Sequence, residues 1–589
     1  MTEDPFAHLH NESYADATSV PRAKYDSLIT TGGRPGISLN GPWHFTPDLF
    51  DEGLRQRWYE ADKAEPAVWT RPRDYDEAGA EPVPVPSCWT AQSPERRFFE
   101  GAAWYAREFD WDGRAPRLFL HAGAANYEAR VFLNGHFIAA HRGGSTPFSI
   151  ELTQHVRTGG NRLLIQVENR RQPDRVPMNH FDWFNHGGLY RDVTLLPLPD
   201  VFIRDLFVRL ADDGIAVDVT LSDPADGIAS VQIAELGIDC TIPIHAGRGS
   251  ALIPAYPDLW SPNHPRLYDV TARFDTDQVT DRVGFRRIQA IGDKILLNGE
   301  DLYLRGICVH EDDVTAGKCS DEADIRRRFA DAKALGCNFL RLAHYPHHEL
   351  VARIADEVGL LLWAEIPVYW AIDFANPDTY ADAENQLLEL VHRDRNRASV
   401  IIWGVGNENA DTNARFAFMS RLAERARAAD PTRLISAACL INRELFRIED
   451  RLAEYLDVIG LNEYFGWYEP DFTGLEKLLA NSRPGKPVVI SETGADALAG
   501  HHGPVNELFT EEHQAEVYRR QLAIVADAPY IRGFCPWLLY DYRTERRQTR
   551  FQRGFNRKGL IAEDKQTRKL AFSVLAAHYH RPITTRTDP

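Results

Sequence analysis

Residues 400–408 read VIIWGVGNE. The run Val400–Val405 is apolar on both faces and ends in Gly406-Asn407-Glu408. A short continuous apolar run of this kind fits a strand of a parallel sheet, buried on both sides. Helix-length amphipathic stretches flank it, Ala381–Arg393 before and Asn413–Ala429 after. The same unit recurs in both directions. Further apolar runs lie at Leu302–Ile307, Asn338–Leu342, Leu360–Ile366, Leu434–Ala437, Val458–Leu461, Val488–Ser491 and Gly533–Trp537. Between or after them come helix candidates at Asp321–Leu335 (with Asp321 as a cap), His348–Val358, Glu511–Ala526 and Gln566–His578. Eight runs separated by helix-length segments predict a (β/α)8 TIM barrel over residues 288–589. A doubly wound sheet would also alternate, but no Gly-rich phosphate turn follows the first run.

Upstream of residue 288 the period changes. Residues 1–200 show short alternating segments such as Arg117–His121, Tyr127–Leu133 and Arg162–Glu168, broken by Gly, Pro and Asn. Asn134-Gly135, between two such segments, is a strong hairpin signal. This predicts a β-sandwich. Residues 201–287 hold more short strands and no helical stretch, including Gly214–Leu221, Ser230–Glu235 and Arg266–Phe274. A small immunoglobulin-like sandwich is expected there. The ends, 1–19 and 583–589, are expected to be poorly tied down.

Composition narrows the function. Apolar residues make up 44% and charged residues 26% of the 589, which excludes bulk disorder. The net charge of −18 argues against nucleic acid as the main partner. Seven scattered cysteines without a C-x-x-C predict reduced thiols, neither a disulfide frame nor a zinc site. No leader pattern and no run long enough to span a bilayer is visible, so a cytoplasmic protein without membrane contact is expected. Only ten of the 67 basic residues are lysine, which makes a lysine at a special position noteworthy.

Barrel sites form at the C-terminal ends of the strands. The polar residues that follow the runs are His310-Glu311-Asp312-Asp313, His344, Glu365, Asn407-Glu408-Asn409, Asn462-Glu463-Tyr464, Glu492, and Trp537 with Tyr540-Asp541-Tyr542. Carboxylates, amides and aromatics converging on one pocket suit sugar chemistry. Glu408 and Glu492 are the best catalytic pair, each directly after a hydrophobic strand. Strand-end glutamates also cap helices or form ion pairs at a barrel mouth. Two carboxylates about 5–5.5 Å apart would retain anomeric configuration, and about 6.5–9.5 Å would invert it. Trp537 is placed for stacking beneath a sugar. His310, Glu311 and Asp313 read as a strand-end cluster that positions sugar hydroxyls. With no third ligand identifiable, neither metal nor cofactor is expected.

At these residues the chain resembles glycoside hydrolase family 2. The resemblance runs through Leu39-Asn40-Gly41-Pro42-Trp43, Val85-Pro86-Ser87-Cys88-Trp89, Ala103-Trp104-Tyr105-Ala106-Arg107, Gly187-Gly188-Leu189-Tyr190-Arg191, Leu259-Trp260-Ser261-Pro262, Gly284-Phe285-Arg286 and Leu302–Gly306. Residues 393–403, ahead of Gly406-Asn407-Glu408, resemble the family's acid/base signature. The resemblance implies Glu408 as general acid/base, Glu492 as nucleophile, and the order jelly-roll sugar-binding-like sandwich, immunoglobulin-like domain, barrel. Many members have Asn-Arg before His-Glu at the first strand. Here the sequence is Cys308-Val309-His310-Glu311, which weakens a β-galactosidase assignment.

Within the family the finer resemblance is to the β-glucuronidases. Residues 461–468, with Asn462, Tyr464 and Tyr468, resemble their tyrosine-bearing stretch. Residues 180–185 resemble a loop of the first domain that reaches the sugar, here with Asp182. Residues 338–346 resemble the strand carrying a sugar-site histidine, here His344. Asn556-Arg557-Lys558 resembles the N-x-K pair that binds the uronate carboxylate. An amide and an ammonium two residues apart can both bind a carboxylate by charge-assisted hydrogen bonds. A solvated turn between Gly554 and Gly559 is the other reading of the same spacing. The expected activity is that of a retaining exo-β-glucuronidase acting on small-molecule or oligosaccharide β-uronides, with a galacturonidase and a neutral-sugar β-glycosidase as alternatives. The basic run from Arg546 to Arg553 is a solvated loop or a steering device. The short stretch between Ile366 and Ala381 predicts an open mouth that admits larger conjugates or oligosaccharide ends. The resemblance also implies a homo-oligomer.

Overall fold

The computed structural model describes residues 20–60 and 80–581. The segments 1–19 and 583–589, expected to be loosely held, lie outside the described residues.

Two antiparallel sheets form the first sandwich. The larger has six strands, in the order Glu81–Val85, Gly41–Asp48, Ala102–Trp111, Gly159–Glu168, Glu128–Leu133 and His136–Arg142. The smaller pairs Ile37–Ser38, Val193–Leu198, Arg117–Ala122 and Phe148–Glu151. Asn134 and Gly135 make the predicted tight turn, with Leu133 opposite His136 and positive φ at both turn residues. Trp43, Trp89, Tyr105 and Leu120 fill the space between the sheets. The second sandwich packs a three-stranded sheet (Ile203–Ala211, Gly214–Leu221, Arg248–Ile253) on a four-stranded one (Ile238–Ile244, Gly227–Ile233, Tyr268–Phe274, Asp277–Val283). Tyr268–Phe274 and Asp277–Val283 bury every second residue, the pattern of a strand with one face on the core.

Eight parallel strands close the barrel: Leu304–Val309, Phe339–Leu342, Leu361–Glu365, Val400–Asn407, Leu434–Cys439, Val458–Asn462, Val488–Glu492 and Ile531–Phe534. Every residue of the fourth is buried, as its unbroken apolar run requires. The helices start with side-chain caps where the sequence offers them. Asp321 accepts from the Asp324 amide, Asn376 from Asp378 and Thr412 from Arg415. One further helix, Thr473–Asn481, lies between the sixth and seventh strands.

The strand-end cluster His310–Asp313 departs from expectation. It does not reach the cavity at the barrel mouth but locks the barrel to its surroundings. Glu311 pairs with Arg191 of the first sandwich at 2.9 Å and accepts from the His348 amide at 2.6 Å. Asp312 accepts from His186 at 3.0 Å and from the Arg543 amide at 2.9 Å. Asp313 pairs with Lys565 at 2.8 Å, and His310 stacks on Tyr542. Glu311 and Asp312 are thus spent on docking the first sandwich to the barrel, and Asp313 on an ion pair within the barrel, rather than on a ligand.

Candidate active site

A cavity of about 360 Å³ opens at the C-terminal end of the barrel. Its wall includes Glu408, Glu492, Asn462, Tyr464, Tyr468, Trp537, Asn556 and Lys558 from the barrel, and Asp182 from the first sandwich. His344 and Asn407 lie behind this wall, and of the other strand-end residues singled out in the sequence Glu365, Asn409, Tyr540, Asp541 and Tyr542 do not line it either. His344 holds Glu365 at 2.8 Å and approaches Glu492 at 3.5 Å, and its ring stacks against Trp537. Asn407 accepts from Arg341 at 2.7 Å and from Asn462 at 3.1 Å. Both therefore orient groups that face the cavity.

Glu492 ends the seventh strand. Arg341 donates to its Oε1 at 2.8 Å, and the Tyr464 hydroxyl donates to its Oε2 at 2.7 Å. Both contacts favour the carboxylate. Burial opposes them, and with the added repulsion of Glu408 it pushes the Glu492 carboxyl up to about 8. Glu408 follows the fourth strand with a positive φ of 54°, which turns its side chain back over the barrel mouth. Trp370 Nε1 donates to Glu408 Oε2 at 2.8 Å, and Asn462 donates to Oε1 at 2.9 Å. The two carboxylates thus stand in one cavity with separate, fixed donors. One is fully buried beside a guanidinium. The other is half-buried and held only by neutral groups.

Arg341 is the hub that reading the strand ends missed. It is fully buried within the second strand and binds Glu365, Glu492 and Asn407 together. Burial works against its charge, but the two carboxylates outweigh it and raise its pKa. Its signal in the sequence is a lone arginine inside an apolar run, with Glu365 one strand over. Trp370 was missed because it lies in the short loop after the third strand, which the sequence marks only by its brevity.

The opposite wall binds charge. Lys558, 1% exposed, donates to Tyr468 Oη at 3.1 Å and to Asp496 Oδ1 at 3.3 Å. Burial disfavours its ammonium, but Asp496 and Tyr468 outweigh that and raise its pKa. Asn556 donates to Tyr542 Oη at 3.1 Å, and its own carbonyl accepts from the Lys558 amide at 3.2 Å. The solvated-turn reading therefore fails, since both side chains are buried in the cavity wall. Arg547, from the basic run, donates to Tyr468 at 3.1 Å and pairs with Asp182, whose second oxygen accepts from Thr544 at 2.9 Å. Asp182 is thereby drawn over from the first sandwich into the barrel mouth.

Residues 288–581 match the glycosyl hydrolases family 2 TIM barrel domain, 37–199 its sugar binding domain, and 201–286 the glycosyl hydrolases family 2 domain between them. A β-glucuronidase from Paenibacillus borealis is 29% identical over 90% of this chain and 95% of its own length. The Homo sapiens β-glucuronidase is 28% identical over 93% and 91%. Among solved structures, a β-glucuronidase from an uncultured Clostridium sp. superposes with a TM-score of 0.81 at 28% identity, covering 93% of this chain and 98% of that one. A β-galacturonidase from Eisenbergiella tayi gives 0.81 at 27%, covering 94% and 97%. With all three family domains matched in order, and two carboxylates facing one cavity in the barrel domain, the chain belongs to glycosyl hydrolases family 2 and is a glycoside hydrolase.

Proposed function

We propose that this chain is a retaining exo-β-glucuronidase that releases terminal β-D-glucuronate by double displacement. The observation that carries the reading is the Lys558 ammonium, buried in the wall of the cavity that holds Glu408 and Glu492. A C6 carboxylate is the acceptor that such an ammonium selects. Glu492, held by Arg341 and Tyr464, attacks the anomeric carbon as a carboxylate. Glu408 gives its proton to the departing oxygen and then removes one from the incoming water. Trp537 forms cavity wall beside both. Asn462 and Asp182 line the same cavity and are read as partners for sugar hydroxyls. His344 and Asn407 act through Glu492, Arg341 and Asn462, as positioning residues.

The test is a panel of chromogenic glucuronide, galacturonide, galactoside, glucoside and mannoside, with the anomer first released read by proton NMR. The reading expects the glucuronide to lead and the β anomer to appear first. Preference for a neutral glycoside, or release of the α anomer, would overturn it. A galacturonide is the second reading, because the Eisenbergiella tayi β-galacturonidase is as similar in fold as the β-glucuronidases and Lys558 does not read the C4 hydroxyl.

No helix among the described residues is long and apolar enough to cross a membrane. The seven cysteines are all free, which supports a cytoplasmic location for the enzyme. A homo-oligomer is inferred from the family resemblance alone, and light scattering on the purified protein tests it.

A further inference from the structure

We propose that Cys88 and Cys319 form a peroxide-sensitive thiol pair that closes to a disulfide and staples the first sandwich to the barrel. The pair lies outside the catalytic cavity, and its chemistry is independent of the sugar released.

The two cysteines belong to different domains and stand 231 residues apart in the sequence. Cys88 follows the strand Glu81–Val85, and Cys319 lies just ahead of Asp321, the cap of the helix Glu322–Leu335. Their sulfurs are 3.9 Å apart. Gly317 lets the two backbones meet. Its φ is 64°, and a methyl group there would stand 3.1 Å from Cys88 Cβ and 2.9 Å from His186 Nδ1. Reciprocal backbone bonds between Asp313 and Gly317, at 2.8 and 3.0 Å, close the turn that carries it. A disulfide is about 2.0 Å long, so the sulfurs must draw together. Cys319 can make that move. It is half-buried, and among the described residues its thiol has no hydrogen-bond partner besides Cys88.

The surroundings prepare one of the two sulfurs to attack. Burial disfavours the Cys88 thiolate. The hydrogen bond from Cys319, the His186 imidazole, the Lys318 amide at 3.4 Å and the Lys318 ammonium outweigh that and bring the thiol down to about 7. The same hydrogen bond, together with burial, pushes Cys319 up, so the shared proton rests on Cys319. Lys318 is held in place by Ser145 Oγ at 2.8 Å and by the Tyr345 ring, 3.5 Å below its ammonium. A second close pair makes the contrast. Cys308 and Cys535 are 3.6 Å apart inside the barrel, but both are fully buried. Cys308 donates to the Ser491 carbonyl at 3.1 Å, and burial pushes its thiol up. That pair offers neither access nor a thiolate.

Hydrogen peroxide is the oxidant, and it is small enough to enter beside Cys319. The Cys88 thiolate bonds to one peroxide oxygen, the O–O bond breaks, and the departing hydroxide takes the Cys319 proton to become water. The Cys319 thiolate then attacks the sulfur of the Cys88 sulfenic acid. The S–S bond forms, the S–O bond breaks, and the second hydroxide takes a proton from solvent. Each sulfur gives up one electron, and the peroxide takes both. In a reducing compartment the pair rests as two thiols, and a dithiol reductant reopens the bond.

The test uses the full-length protein, treated with a small excess of hydrogen peroxide, alkylated and digested without reductant. Mass spectrometry should find the Cys88 and Cys319 peptides joined, lighter by two hydrogens than their sum. Dithiothreitol should separate them, and Cys319→Ser should never form the joined species. The oxidised wild type should melt about 4 °C or more above its reduced form, because the bond ties together two domains across a long loop. Cys319→Ser should show no rise under the same treatment. Absence of the joined peptide, or a Cys308–Cys535 disulfide in its place, would overturn the assignment of the pair. A disulfide that forms but leaves the melting temperature unchanged, or an equal rise in Cys319→Ser, would overturn its role as a staple.

Discussion

Replacing Lys558 by methionine keeps the bulk of the side chain and removes its charge. Two consequences follow from the surroundings of the ammonium. The first is loss of attraction for the substrate carboxylate. The second is exposure of Asp496, which the ammonium neutralises at 3.3 Å and which also accepts from the Gln552 amide. Truncating one member of a buried, hydrogen-bonded charge pair costs about 2–5 kcal/mol. In this variant the substrate carboxylate loses its cation and meets an unpaired anion, so the upper half of that range applies. This corresponds to roughly several-hundred- to several-thousand-fold in kcat/KM for a glucuronide. The double variant Lys558→Met/Asp496→Asn removes the anion as well. It should regain part of the loss and settle near the lower end, about 30-fold below wild type. The order of activity on the glucuronide is therefore wild type, double variant, single variant. The matching neutral glucoside should be turned over at nearly the same low rate by all three. Steady-state kinetics on the paired nitrophenyl glycosides reads the order, and circular dichroism with thermal melts checks that each variant is folded. If the single variant loses glucuronide and glucoside activity equally, Lys558 supports the fold and does not read the substrate. If the double variant is no better than the single, Asp496 plays no electrostatic part.

Glu492→Ala should abolish turnover, whereas Glu408→Ala should slow alkyl glucuronides far more than activated aryl ones, because only the former need protonation; near wild-type rates on an alkyl glucuronide in either variant would end the assignment. Glu408→Gln should move the acid limb of kcat/KM for an activated aryl glucuronide to lower pH. Glu408 is one of the charges that raise the Glu492 pKa, so removing it lets Glu492 ionise at lower pH; an upward shift would contradict the coupling. Arg341→Leu leaves Glu365 and Glu492 buried without their cation, and should destabilise the fold by about 3–5 kcal/mol and remove activity, read by denaturant melts and by kinetics.

The barrel was legible because its strands are buried on both faces and so are written as largely apolar runs, interrupted by Arg305, Arg341 and Arg532 in three of them. Boundaries were less so. The eighth strand ends at Phe534 rather than Trp537, because Cys535–Trp537 lie past the last ladder pair and Trp537 turns into the cavity wall. The last helix begins at Leu570 rather than Gln566, because Asp564 accepts from the amides of Gln566 and Thr567 and holds them in a turn. The helix Thr473–Asn481 escaped notice because it is only nine residues long and Phe472, at its N-cap, has no polar side chain to mark its start. The candidate site was legible where its residues follow strands or sit in a recognisable motif, as Glu408, Glu492, Asn556 and Lys558 do. Arg341 sits inside a strand, so a reading confined to strand ends passes over it. Glu311 and Asp312 sit at a strand end but are engaged by Arg191 and His186 of the first sandwich, and nothing local in the sequence marks that.

The transfer of Asp182 from the first sandwich into the barrel mouth bears on how this chain can be cut and recombined. The barrel is not a portable enzyme with an accessory module attached. Expressed alone it would lack a wall of its own cavity, leave Arg547 and Thr544 pointing at solvent, and strip Glu311 of its buried guanidinium. A chimera that takes its sandwich from a relative must bring matching residues at Arg547, Thr544 and Asp312, even though these lie more than a hundred positions downstream of the junction. Inheritance at this site is by interface, and the unit that can be exchanged intact is the whole chain.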